Sequence, residues 1–321
     1  MWTLLVLTAV VAACGGTESG SPGASSGATA SAEAETTALR IAFVPATTAL
    51  PLHVAQAQGF FKENNLDVTL TQAANISDLP STLGRQFDLA IGTATDLIRA
   101  GTAGLDIVQV SGNTVSTKEN PFVQVIVPPG KGIMDFGDLG GKTVGSPTLS
   151  GVIHVGTLFT AKKQGTDPAT IRGVEAPSPT LPDQLKGGRV DGVEALQPFA
   201  SQLTKAGNVS IGDPFSAIAS PLATNFYVAQ GEWAESNKDA VERFVKAMEQ
   251  AADFIEEMPM ESRTILQQFT ELPAPVAATV PLPTYDFDIR TEDLDKWVGV
   301  LKELGQLDGE VDTGKLVLSE R

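Results

Sequence analysis

Two rhythms of apolar and polar positions take turns along this chain. Leu39-Arg40-Ile41-Ala42-Phe43-Val44 alternates and is rich in β-formers, so it predicts a first strand. Residues 52–61 repeat apolar positions at helical spacing and stop at Lys62-Glu63-Asn64-Asn65, predicting a helix. Leu66-Asp67-Val68-Thr69-Leu70 predicts a second strand, 78–86 a short helix, and Asp88-Leu89-Ala90-Ile91-Gly92 a third strand. Residues 95–103 then read as a helix and Ile107-Val108-Gln109-Val110 as a fourth strand. Strand and helix alternating in this way argue for parallel βαβ units.

The middle of the chain repeats the grammar. Residues 122–127 form a buried apolar strand, 136–141 a turn, and Thr143-Val144-Gly145 a strand. A helix is expected from about 150 to 163, another ends over 183–188, and a strand follows at 190–193. Residues 223–229 read as a strand that returns to the first half, and 240–257 and 291–304 as amphipathic helices. The economical arrangement is two helix–sheet lobes with the chain crossing between them twice.

Composition narrows the function. Of 321 residues, 42% are hydrophobic, enough for a real core, and the formal charge is −16. Such a surface repels nucleic acid and anionic headgroups, so no nucleic-acid partner is expected. One cysteine and two histidines provide neither a disulfide framework nor a Cys/His metal constellation. No cofactor, metal or catalytic motif stands out: there is no nucleophile elbow and no phosphate-binding glycine loop.

The single cysteine, Cys14, directly follows an apolar run over 2–13 that ends Val11-Ala12-Ala13. The run has the length of a secretory core and is too short to span a bilayer. This arrangement resembles the lipobox of bacterial lipoproteins, although no Lys or Arg precedes the run. The resemblance implies a signal peptide over 1–13, cleavage before Cys14 and lipidation of its thiol. Behind it, Gly15-Gly16-Thr17-Glu18-Ser19-Gly20-Ser21-Pro22 begins a stretch to about residue 38 without large apolar side chains, expected to be a flexible tether. The expected location is outside the cytoplasmic membrane, held there by the lipid.

Four segments in order resemble the solute-binding proteins of ABC importers, in the group that takes nitrate, sulfonates, taurine and thiamine precursors. They are Ile41-Ala42-Phe43-Val44-Pro45 with Pro51-Leu52-His53-Val54-Ala55 and Gly59-Phe60-Phe61; Gln86-Phe87-Asp88-Leu89-Ala90-Ile91-Gly92; Phe136-Gly137-Asp138-Leu139-Gly140-Gly141-Lys142-Thr143; and Gly188-Arg189-Val190-Asp191-Gly192 with Gln197-Pro198-Phe199. The resemblance implies an α/β, two-lobe periplasmic-binding-protein type II fold with two crossover strands and an interlobe cleft. One lobe is then 39–121 with 225–321, and the other 122–224. It also implies a monomer that captures a small polar or anionic solute by lobe closure and hands it to a membrane permease, without catalysis. A binder of a pyrimidine-type thiamine precursor or other heterocycle is the first alternative, and a lipid-anchored sensor or an enzyme reusing the fold the others.

Ligands of open α/β sheets bind beyond the carboxyl ends of the strands. The loops 45–50, 92–95, 112–114 and 146–151, faced by 194–198, occupy those ends. They carry Thr47, Thr48, Thr93, Thr95, Asn113, Thr114, Ser146, Thr148, Ser150, Glu194 and Gln197 as candidate ligand-binding residues. Several precede a predicted helix, whose N-terminal N–H groups receive anions without Arg or Lys. Taken singly, each hydroxyl is equally well explained as a helix N-cap. No Arg or Lys lies in the five loops, which argues against a phosphate ester and for a sulfonate-like monoanion. The family often carries Trp then Glu where this chain has Leu196 and Gln197, which weakens a stacked pyrimidine; Glu194 is the remaining carboxylate for a ring N–H. His53, His154, Phe226 and Tyr227 are expected to pack in the core.

Overall fold

The computed structural model describes residues 35–73 and 76–318, and the predicted signal peptide, lipobox cysteine and most of the tether lie outside them. Strand β1 (Thr37–Phe43) leads through a 3-10 turn, Thr47–Ala49, into helix α1 (Leu50–Gln58). Gly59, at φ 85°, breaks the predicted single helix and starts the short α2 (Phe60–Glu63). Then come β2 (Leu66–Gln72), a 3-10 segment at Ile76–Thr82 where an α-helix was expected, β3 (Leu89–Gly92), α3 (Ala94–Thr102) and β4 (Ile107–Ser116).

The second half opens with β5 (Val123–Val127), β6 (Thr143–Ser146) and α4 (Val152–Lys163). It continues with β7 (Arg172–Glu175), α5 (Leu181–Lys186), β8 (Gly192–Leu196), α6 (Phe199–Lys205) and β9 (Val209–Gly212). The chain then returns as β10 (Leu222–Gln230), α7 (Gly231–Ser236), α8 (Lys238–Glu257), α9 (Pro259–Thr270), α10 (Ala274–Ala277), β11 (Thr284–Asp286) and α11 (Thr291–Glu303).

The strands form two sheets. The first runs β11-β4-β10-β3-β1-β2 and the second β7-β6-β8-β5-β9. In the first, β1 is parallel to β2 and β3, but the returning β10 lies antiparallel between β3 and β4. In the second, β6 is parallel to β7 and β8, and β5 is antiparallel to β8 and β9. Both sheets are therefore mixed: the strands of the βαβ units run parallel, as expected, and the strands that follow the two passages between halves, β5 and β10, enter against the grain.

Alternation along the strands assigns each sheet two faces. Leu39, Ile41 and Phe43 pack with Leu89, Ile91 and Tyr227 under α1, α8 and α9. Ala42, Ala90, Phe226 and Val228 face α3 and α11 on the other side. Helix α8 buries Val241, Phe244, Met248, Ala251 and Ile255, a spacing of three and four that puts one stripe on the core. Phe226 and Tyr227 are thus core residues on opposite faces of β10, as expected. Helix α4 serves both halves: Val152, Ile153, Val155 and Phe159 join the apolar cluster of Leu294, Trp297 and Leu301.

Strand β4 is six residues longer than expected. Residues 112–114, read as a loop, lie inside it, because each polar side chain there finds a distant partner. Gly112 is required by the close pass of β11: a Cβ there would lie 2.3 Å from the Asp286 carbonyl oxygen. The two passages between halves are also tied to each other. Ser116 Oγ donates to Asp213 Oδ2 at 2.9 Å and accepts from the Phe122 N–H at 3.0 Å, and the Lys118 N–H donates to Ser220 Oγ at 3.0 Å. Among the described residues no helix is long and apolar enough to cross a membrane.

Candidate functional site

An open cleft lies where the carboxyl ends of β1 and β8 meet the first passage between halves. Val44, Ala46, Thr47 and Thr48 line it from the β1–α1 junction, and Leu196 and Gln197 from the end of β8. Asn120, Pro121 and Phe122 come from the passage, Asn225 from β10, and Pro281, Leu282 and Pro283 from the approach to β11. None of these residues is charged.

Ala46 is extended and brings no side chain to cap the helix that follows, so the first-turn N–H groups at Thr47 and Thr48 are left by helix geometry without helical partners. The carbonyls of the same two residues are held from behind. Tyr285 Oη donates to the Thr47 oxygen at 2.8 Å, and Asn113 Nδ2 donates to the Thr48 oxygen at 3.1 Å. The Thr47 and Thr48 hydroxyls make no hydrogen bond among the described residues.

On the facing wall, Gln197 Oε1 accepts from the Ser201 N–H at 3.3 Å and from Ser201 Oγ at 2.8 Å. A backbone N–H can only donate, so this fixes the amide orientation and leaves the Gln197 NH2 as the group with no partner. Asn225 adds a second amide to the lining, with its Oδ1 3.4 Å from Thr114 Oγ1, a hydroxyl that can donate or accept. The cleft therefore offers uncharged donors over a mainly apolar lining. Such a surface accepts an oxygen-rich head group and an apolar body together.

Of the residues singled out in the sequence, Thr47, Thr48 and Gln197 line this cleft and the others are not in its lining. Asn113 and Thr114 are buried in β4. Asn113 holds Thr48 while its own Oδ1 is buried without a partner, and Thr114 Oγ1 lies 2.8 Å from Thr224 Oγ1. Thr93 Oγ1 donates to Asp96 Oδ2 at 2.7 Å at the start of α3, and Thr95 is wholly buried. Burial pushes the Asp96 carboxyl up, against the Thr93 hydrogen bond and the charge of Arg99. Ser146 Oγ donates to the Thr148 carbonyl at 3.0 Å, Thr148 and Ser150 hydroxyls lie 3.5 Å apart, and the Ser150 carbonyl accepts from the Arg99 guanidinium.

Glu194 is fully buried on β8. Its Oε1 lies 2.9 Å from His154 Nδ1, and its Oε2 is buried without a partner. Burial alone would lower the His154 pKa, but the Glu194 charge and hydrogen bond outweigh it and the net shift is upward. Gly173 makes room for this imidazole, since a Cβ there would lie 2.9 Å from Nε2. His53 is the opposite case. It stacks on Phe269 at 3.8 Å and meets Phe43 edge-on at 4.7 Å, and burial lowers its pKa to about 4. Both histidines pack as expected, and neither lines the cleft.

Sequence reasoning did not single out Asn120, Pro121 and Phe122, or Pro281, Leu282 and Pro283, as cleft residues. They come from a passage between halves and a C-terminal loop, and only the folded topology brings them to the ends of β1 and β8.

The family model described as NMT1/THI5 like matches residues 46–262. A 4-amino-5-hydroxymethyl-2-methylpyrimidine phosphate synthase of Saccharomyces cerevisiae is 25% identical over 227 residues, which are 66% of this chain. This chain spans 65% of the length of that relative. Among solved structures, the alkanesulfonate-binding protein SsuA from Xanthomonas axonopodis pv. citri, bound to MOPS, superposes with a TM-score of 0.74 at 18% identity, covering 89% of this chain and 99% of its own. The periplasmic nitrate-binding protein NrtA from Synechocystis PCC 6803 gives a TM-score of 0.71 at 14% identity, covering 87% and 84%. With the two mixed sheets and the double passage, these likenesses show the two-lobed α/β fold of periplasmic binding proteins.

Proposed function

The chain belongs to the NMT1/THI5-like family, and from that premise we propose that it is the solute-capturing component of an importer. It works outside the cytoplasmic membrane, tethered through Cys14, and delivers its solute to an ABC permease. The lobes are taken as 39–121 with 225–321, and 122–224, closing about the two passages. The favoured solute is a small organic monoanion with a sulfonate-like head. One observation carries this choice: the Gln197 carbonyl oxygen is taken by the Ser201 N–H and hydroxyl, so this amide keeps only N–H groups for a ligand, in the same lining as the helix start at Thr47. Uncharged donors of this kind suit one negative charge spread over several oxygens.

The relatives named as pyrimidine phosphate synthases favour a second reading, a pyrimidine-type thiamine precursor as ligand. Against it stands Glu194, the one carboxylate proposed to meet a ring N–H, which is already paired with His154 and does not line the cleft. The solved neighbours described as binding proteins support capture over chemistry. A thermal-shift panel on the full-length protein, with sulfonates, nitrate, taurine and pyrimidines, tests these readings. A ligand at 100 times its Kd stabilises by about 2.7 kcal/mol. A shift with sulfonates and none with pyrimidines is expected; the reverse pattern would refute the oxyanion head.

A further inference from the structure

The segment through Pro281, Leu282 and Pro283 is an unusual wall for a binding cleft. It is a loop without regular structure, yet it is held at nearly every second residue. Arg263 Nη1 donates to the Val280 carbonyl at 2.7 Å and to the Ala277 carbonyl at 2.9 Å. Asn120 Nδ2, reaching across from the first passage, donates to the Leu282 carbonyl at 2.8 Å and to Thr284 Oγ1 at 3.3 Å. From Thr284 onward the chain pairs with β4, Thr284 against Val115. The two prolines fix φ on either side of Leu282. Leu282 is half-buried, packing against the core of the first sheet while also lining the cleft from a pinned backbone, with Phe122 and Leu196 in the same lining.

We infer that this pinned segment is a specificity wall for the body of the solute, with Leu282 as its contact and Asn120 as the residue that positions it. The inference rests on the oxyanion reading only for the end of the cleft where the head group sits. It names the class more narrowly: an oxyanion whose remaining atoms form a continuous apolar body of several carbons, alkyl or aryl. It also excludes part of the sulfonate class. The cleft has no carboxylate in its lining to receive an ammonium, so a zwitterion such as taurine would bury a cation against proline and leucine, which is costly. Taurine and propane-1-sulfonate differ in a terminal ammonium against a terminal methyl on chains of equal length, and the wall is expected to separate them.

Titration calorimetry of the full-length protein with two ligand series tests this. The body series is methane-, propane-, butane- and hexane-1-sulfonate, with taurine; the head series is hexane-1-sulfonate, hexanoate and 1-hexanol. Each methylene that reaches the wall should tighten binding about fourfold, and taurine should bind at least about tenfold more weakly than propane-1-sulfonate. Leu282→Ala should weaken hexane-1-sulfonate about tenfold and leave methanesulfonate within about twofold. Asn120→Ala should likewise reduce the hexyl-to-methyl ratio, a change that general loss of stability would not produce. Equal affinity along the body series, or taurine binding as tightly as propane-1-sulfonate, overturns the wall while leaving the oxyanion head intact. Tight 1-hexanol binding with the length dependence preserved overturns the head and leaves the wall. No binding by any of these probes overturns both.

Discussion

Two strand-to-helix junctions in this molecule read alike and behave differently. At the first, β1 ends in Pro45-Ala46-Thr47-Thr48-Ala49 before α1; at the second, β6 ends in Ser146-Pro147-Thr148-Leu149-Ser150-Gly151 before α4. Both are short, hydroxyl-rich turns ahead of a helix start. At the first, only the carbonyls are engaged, by Tyr285 and Asn113, and the hydroxyls and first-turn N–H groups stay available on the cleft. At the second, one bond is made within the turn and two come from distant side chains. Ser146 bonds the Thr148 carbonyl, Glu175 Oε2 accepts from the Leu149 N–H at 2.9 Å, and Arg99 takes the Ser150 carbonyl. Both helix starts lack a side-chain cap, so the junctions differ in which groups distant partners take: carbonyls alone at the first, a carbonyl and a backbone N–H at the second.

Substitutions can break this contrast, and the largest effect is expected beside the second junction. Glu194→Ala removes one member of a buried pair and leaves His154 without its carboxylate, so unfolding free energy should fall by about 3 kcal/mol in urea titrations. Solute affinity of the remaining folded protein should change little. The next largest effect belongs to the cleft: Gln197→Leu removes a free donor to a charged head group, and affinity of the folded protein should fall by roughly 1.5–3 kcal/mol, while loss of the Ser201 contacts lowers Tm as well. A Gln197→Leu protein that binds sulfonates normally would place the head group elsewhere.

The histidines sharpen the picture through pH. His53 has a folded pKa of about 4, below its ordinary value, so the unfolded chain takes the proton first. Its contribution is complete above about pH 6.5 and is lost as pH falls toward 4. His154 is shifted upward, so its contribution is complete below about pH 6.5 and is lost as pH rises through the raised value. His53→Leu should flatten the acid limb of stability against pH, and His154→Gln the limb above pH 6.5. Denaturation midpoints across that range provide the check. The smallest effects are expected for Ser146→Ala and Thr93→Val, each about 1 kcal/mol in stability with affinity within about twofold, since both hydroxyls serve their own turns.

Much of the fold was legible because strand and helix announce themselves by local periodicity. β1, β2, β3, β6, α3, α8 and α11 all fall within a few residues of their expected places. The misses share one cause. The far end of β4 looks like a loop in Ser111-Gly112-Asn113-Thr114, yet its side chains bond Phe287, Thr48 and Thr224, each dozens of residues away. The antiparallel entry of β10 and the three-residue β11 depend equally on pairing across the chain. In the site, Thr47, Thr48 and Gln197 were visible as strand-end residues. Which hydroxyls stay free was not visible, because hydrogen-bond partners are a tertiary property. Glu194 could be flagged as a lone carboxylate, but its pairing with His154 needed the geometry of β8 beneath α4.

The most direct test sets the two junctions side by side in calorimetric titrations with hexane-1-sulfonate, using the wild type, Gln197→Leu and Ser146→Ala. The account predicts saturable binding by the wild type, at least tenfold weaker binding by Gln197→Leu, and wild-type affinity for Ser146→Ala. Undiminished binding by Gln197→Leu together with loss in Ser146→Ala would contradict it, and would move the ligand from the first junction to the second.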